Sequence, residues 1–168
     1  MRDDAGLRRH LTALLQGHGA HVGFDEAVRG FPVGLRGRIA AGVPHSPWQI
    51  LEHLRLALWD LVEYSRKADH VSPKWPEGYW PAAAAPPQER AWDRSVAAYR
   101  RHRREMARLV DGSKGTLLKP LPWSGGDASL MRMVCLAADH AAYHVGQLVT
   151  LRQLLGAWPP AKGRRAKA

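Results

Sequence analysis

Apolar residues recur at three- and four-residue steps along four stretches of the chain, and little of it alternates with the period of two that a strand requires. The first stretch, residues 4–29, carries Leu7, Leu11 and Leu14, and later Val22 and Val28, on one side. Gly17 and Gly19 interrupt it, so a break is expected there. Residues 31–45 are rich in Gly and Pro and read as a connection that is in part helical.

The second predicted helix has the clearest start. Ser46-Pro47-Trp48-Gln49 supplies an N-cap hydroxyl, a proline at the first helical position and a glutamine at N3 to close a capping box. Leu51, Leu54, Leu58, Leu61 and Ser65 then form a seam, and the helix should end near Arg66 or Lys67. Residues 69–87 contain Pro73, Pro76, Pro81, Pro86 and Pro87, a density that forbids regular helix. Trp75, Tyr79 and Trp80 lie among them, and large aromatics on this loop predict that it folds back onto the helices as a cover.

A third helix is predicted over residues 88–110, with Trp92, Val96, Tyr99, Arg103, Met106 and Val110 on its seam. After a second irregular connection over residues 112–127, a fourth begins near Ser129 and ends at Gly156, ahead of Pro159 and Pro160. Four amphipathic helices with two long connections predict an all-α fold, a four-helix bundle forming one domain over residues 1–160. Residues 161–168, with Lys162, Arg164, Arg165 and Lys167, are expected to be a disordered basic tail.

The fourth seam departs from its own pattern. It reads Leu130, Met133, Ala137, His140, His144, Gln147, Leu151, Leu154, with two imidazoles and an amide where apolar side chains belong. His140 and His144 are four apart and so share one helix face, within reach of a single ion. The alternative is that each ring hydrogen-bonds a neighbouring side chain or carbonyl, since burying it unpaired is unfavourable by about 1–3 kcal/mol. A metal site that performs chemistry takes three protein ligands and leaves a position open. The candidate third is His53, at the margin of the apolar arc of the second helix; His18 and His21, on the inner side of the first, stand in reserve. His10, His45, His70 and His102 sit in polar or loop contexts and read as surface residues.

Composition removes other chemistries. The single cysteine, Cys135, excludes an intramolecular disulfide and a cysteine-rich zinc module, and it falls on the opposite side of its helix from the histidines. There is no Glu-x-x-His, no His-Glu-x-x-His, no Gly-x-Ser-x-Gly, no phosphate-cradling glycine loop and no dinucleotide fingerprint. The absence of an apolar signal core and of a membrane-length apolar run predicts a soluble, cytoplasmic protein without a membrane partner. The net charge is +10, from 25 Lys and Arg against 15 Asp and Glu. Arg103 is a seam guanidinium with two readings: a packed stem whose head reaches water or a carboxylate, or an anchor for a substrate anion.

Ser46-Pro47-Trp48-Gln49-Ile50-Leu51-Glu52-His53-Leu54 and Asp139-His140-Ala141-Ala142-Tyr143-His144-Val145-Gly146-Gln147 resemble the DinB/YfiT-like superfamily of four-helix bundles. The resemblance extends from about residue 7 to residue 158, and Trp75-Pro76-Glu77-Gly78-Tyr79-Trp80-Pro81 is similar to the loop of one branch of that group. It implies a divalent metal, nickel or zinc, held by one histidine of the second helix and a His-x-x-x-His pair of the fourth. These are His53, His140 and His144 in this chain. It further implies a homodimer and a small-molecule substrate, and characterised relatives are thiol S-transferases and isomerases that use low-molecular-weight thiols such as bacillithiol or mycothiol.

The leading expectation is therefore a metal-dependent enzyme, a transferase or a hydrolase, with the aromatic loop over its mouth and Arg103 or Gln147 orienting the substrate. One alternative is a bundle whose ion only stabilises the fold. Another is a binder of nucleic acid or an acidic partner, through Arg100, Arg101, Arg103, Arg104 and the basic tail. Without a helix-turn-helix or an aromatic RNA motif, nucleic acid is the weakest of these.

Overall fold

The computed structural model describes residues 2–17 and 19–160. His18 and residues 161–168, the expected tail, lie outside the described residues. The helices are α1 (Arg2–Leu15), α2 (Phe24–Val28), α3 (Pro47–Arg66), α4 (Ala91–Gly112) and α5 (Leu130–Leu154), with no strand among the described residues. The break expected in the first stretch falls at Gly17, whose φ of 75° lies in the left-handed region that glycine adopts without strain. Its N–H bonds the Leu14 carbonyl and closes α1, so α2 is a separate short helix.

The four long helices form the bundle. α1 and α3 each pack against both α4 and α5, which places α1 and α3 on a diagonal. Cross-links give the directions. Arg8 near the start of α1 donates to the Val110 carbonyl near the end of α4, and Arg103 donates to the Gln16 carbonyl just past α1, so α1 and α4 are antiparallel. Glu52 on α3 accepts from Ser95 on α4, and Ser65 shares a cleft with Arg108 and Leu109, so α3 and α4 are parallel.

Parallel neighbours cannot be joined by a tight turn. The connection from α3 to α4 must travel back along the full length of α3, about 30 Å for twenty residues. The hydrogen bonds trace that return in register. Asp60 takes His70, Tyr79 offers its carbonyl to His53, Gln49 donates to the Pro81 carbonyl, and Ser46 donates to the Ala84 carbonyl. The capping box therefore serves twice. Ser46 and Gln49 cap each other's backbone N–H groups at the start of α3, and the same two side chains pin the returning loop. Gly37 lies so close to this loop that a Cβ there would meet the Ala85 Cα at 2.9 Å.

The core includes the expected seam residues Leu51, Leu54, Trp92 and Met106, fully enclosed, together with Val134 and Leu148, which lay outside the expected seam of the fourth helix. Two seam positions are corrected. Leu14 and Leu154 are 49% and 55% exposed, and Leu15 and Arg152 point inward instead. Arg152 is buried because its guanidinium donates to the Ala27 and Arg29 carbonyls at 2.9 Å each, groups that the end of α2 leaves without helical partners. It thereby ties α2 to α5.

Candidate metal centre

His53 enters the site from the first half of α3, and His140 and His144 from the middle of α5, which packs against α3. The three rings meet. Each offers one ring nitrogen, and these nitrogens all lie within 4.8 Å of one another. His53 Nε2 and His140 Nε2 are 2.9 Å apart, and the His140 and His144 ring centroids are separated by 4.4 Å.

The outer nitrogens are held by the chain. His53 Nδ1 lies 3.1 Å from the Tyr79 carbonyl, which only accepts, so Nδ1 carries the proton and Nε2 a lone pair. His144 Nδ1 lies 2.7 Å from Gln147 Oε1, which sets the same tautomer. With His53 Nε2 an acceptor, the ion-free protein places a proton on the facing His140 Nε2. A cation between these rings would take the place of that proton, and the His140 ring would switch to its other tautomer, with the proton on Nδ1.

Electrostatics favour the neutral forms. Burial holds the His53 imidazole down at about 4, against the opposing pull of its bond to Tyr79, and the neighbouring His144 adds to the depression. Burial likewise lowers His140 to about 4, reinforced by His144 and His53. His144 is lowered by burial, partly offset by Gln147. At neutral pH the cluster is three uncharged imidazoles, a donor set suited to a borderline divalent ion such as zinc or nickel.

The crossover loop closes one side. Trp80 lies flat on His53, with centroids 3.8 Å apart and planes at 4°, and its other neighbour His45 stacks on it at 4.0 Å. Tyr79, behind this stack, donates its phenol to Asp60 Oδ2 at 2.7 Å, and His70 reaches the other oxygen of Asp60. That anchor fixes the carbonyl which orients His53. Trp75 remains 67% exposed at the loop's outer edge.

Of the other candidate residues, Gln147 lies beside the cluster and the rest lie elsewhere. Arg103 pairs with Asp25 at 2.9 Å and with the Gln16 carbonyl, so its contacts are with the α1–α2 connection and not with the histidines. Gln147 spends its oxygen on His144. His21 belongs to no helix and is exposed, its Nδ1 near the Val22 carbonyl, because the first helix stops at Leu15. Cys135 is exposed and is not among the residues of the histidine cluster.

Three of the four histidines read as surface residues are corrected. His102 is 5% exposed and bonds Glu105, the His70 side chain is 8% exposed against Asp60, and His45 is half-buried in the Trp80 stack. His10 is exposed. Of the site neighbours, sequence reasoning named Tyr79 and Trp80 only as aromatics of a covering loop, and it read His45 as a surface residue. The signal for the first two was the aromatic content of the loop, and His45 carried none.

A bundle whose helices bring three imidazoles together, with two of their outer nitrogens tied down, defines a helical protein with a candidate metal site. The model of the DinB superfamily matches residues 16–148, and the chain belongs to that superfamily. No curated protein and no solved structure matches the chain. No described helix is long and apolar enough to cross a membrane.

Proposed function

We propose that the protein is a divalent-metal-dependent enzyme in which His53, His140 and His144 hold one zinc or nickel ion. The observation that supports this reading is the convergence of three ring nitrogens within 4.8 Å, with His53 and His144 already in the tautomers that leave Nε2 unprotonated. Three imidazoles leave coordination positions open, and an ion so held supplies a Lewis acid for an incoming substrate. The chain's own residues do the positioning: Tyr79 and Gln147 fix two of the rings, and Trp80 keeps water from the face of His53.

The reaction class proposed is S-transfer from a low-molecular-weight thiol, carried by the family resemblance. A metal that only stabilises the fold is the competing reading. Protein purified without an affinity tag should contain about one divalent ion per chain by mass spectrometry, and His144→Ala should contain none. Absence of the ion from the wild type overturns the site. An ion without turnover across a panel of thiols and electrophiles overturns the catalytic part and leaves the stabilising one.

A further inference from the structure

Beside the histidine cluster lies a cleft of about 310 Å³, a volume in the range of small-molecule sites. None of the three cluster histidines lines it, but three of its lining residues touch the cluster or its cover. Gln147 holds His144, Tyr143 sets its ring edge-on to His144 at 4.9 Å, and His45 stacks on the Trp80 that covers His53. Away from these polar groups the walls are Val43, Pro44, Ile50 and Leu151, with the Thr150 hydroxyl the one further polar group. Among the described residues, no Asp, Glu, Lys or Arg lines it, on a chain of net charge +10.

The floor carries a second observation. Gly146 lines the cleft from within the 25-residue helix α5. Glycine is a weaker helix former than every residue but proline. No described residue crowds the position, since a Cβ at Gly146 would meet no atom within 4 Å. The missing side chain keeps the cleft open and serves no packing of the bundle.

We propose that this cleft is the substrate-binding site for an uncharged small molecule with an apolar body and a hydrogen-bonding end, the polar end lying toward His45, Tyr143 and Gln147. An apolar wall without a cation gives a carboxylate nothing to pair with, so anionic ligands are rejected by desolvation. This deepens the metal-enzyme reading and rests on it for what happens to the ligand, but not for its binding. Applied to the thiol reading, it favours a neutral thiol or a neutral apolar electrophile over a polycarboxylate thiol.

The test is a calorimetric and NMR titration of the full chain with 1-butanol, 1-hexanol and hexanoate, with and without zinc. 1-Hexanol should bind about tenfold tighter than 1-butanol, from two more buried methylenes, and hexanoate at least about tenfold weaker than 1-hexanol. Gly146→Leu, which fills the cleft with a good helix former, should weaken 1-hexanol by about tenfold or more while its melting temperature stays at or above that of the wild type. Gly146→Ala should do the same to a smaller degree. Unsaturable binding of 1-hexanol, equal affinity for hexanoate, or indifference to Gly146→Leu overturns the proposal. Should 1-hexanol bind as expected to a chain that takes up no zinc, the cleft stands and the metal reading falls; zinc uptake without 1-hexanol binding gives the reverse.

Discussion

Arg103 on α4 and the pair His140 and His144 on α5 pose one physical problem twice, a polar side chain at a seam position where an apolar one belongs. The chain resolves the first internally. Arg103 donates to Asp25, which also receives Arg100 at 2.6 Å. Burial would raise the Asp25 carboxyl, but the hydrogen bonds from the two arginines overcome it and hold the group below its ordinary value. The histidines are resolved by the rest of the chain only on their outer side, and inside by one bond between His53 and His140. The outer nitrogens of His53 and His144 meet Tyr79 and Gln147, while the inner nitrogens are turned toward one another. A polar seam residue whose charge is paired by a carboxylate of the same chain is structural. A set whose outer atoms are fixed and whose inner atoms face each other could also hold a metal ion.

The contrast breaks first at the ligands. At a free zinc concentration about 100 times Kd, the wild type should gain about 2.7 kcal/mol of stability, and His53→Ala should gain none in a calorimetric melt. The next effect is that of acid on the metal-free protein. The folded imidazoles of His53 and His140 titrate near 4 and the unfolded ones near 6.5, so the unfolded chain takes up protons that the folded chain refuses. Their contribution is complete above pH 6.5 and is lost as the pH falls from 6.5 toward 4. Urea midpoints at pH 7, 6 and 5 should decline accordingly, and less steeply for His53→Ala.

Smaller effects sharpen the comparison. Gln147→Ala removes the acceptor that sets the His144 tautomer and should weaken zinc by about 10- to 100-fold with the fold intact; unchanged affinity would show that the orienting bond is idle. Arg103→Leu removes a pair whose acid is half-exposed, so it should lower stability by about 1 kcal/mol or less. Zinc affinity should not change, and a tenfold loss in that variant would erase the distinction between the two regions.

Some of this was legible along the chain because it is local. The α3 cap needs only Ser46, Pro47 and Gln49 in order, and four-residue spacing alone puts His140 beside His144. His53 was harder. At the margin of an apolar arc a side chain points inward or outward according to what covers that margin, and here the cover is a loop whose nearest residue lies 26 positions away. His70 was misread for the same reason, since its partner Asp60 is on the helix that the loop runs back along. His102 was misread although Glu105 lies on its own helix, because the α3 packing that buries it is not local.

The sequence by itself determined the helices, their caps, the membership of the bundle class and the i, i+4 histidine pair, all set by interactions within a turn or two of helix. The tertiary structure decided which polar seam residues are closed and which are open. Satisfaction of a buried donor depends on what the rest of the chain brings to it, and the parallel run of α3 and α4 brings the aromatic loop to His53 while the break after α1 brings Asp25 to Arg103.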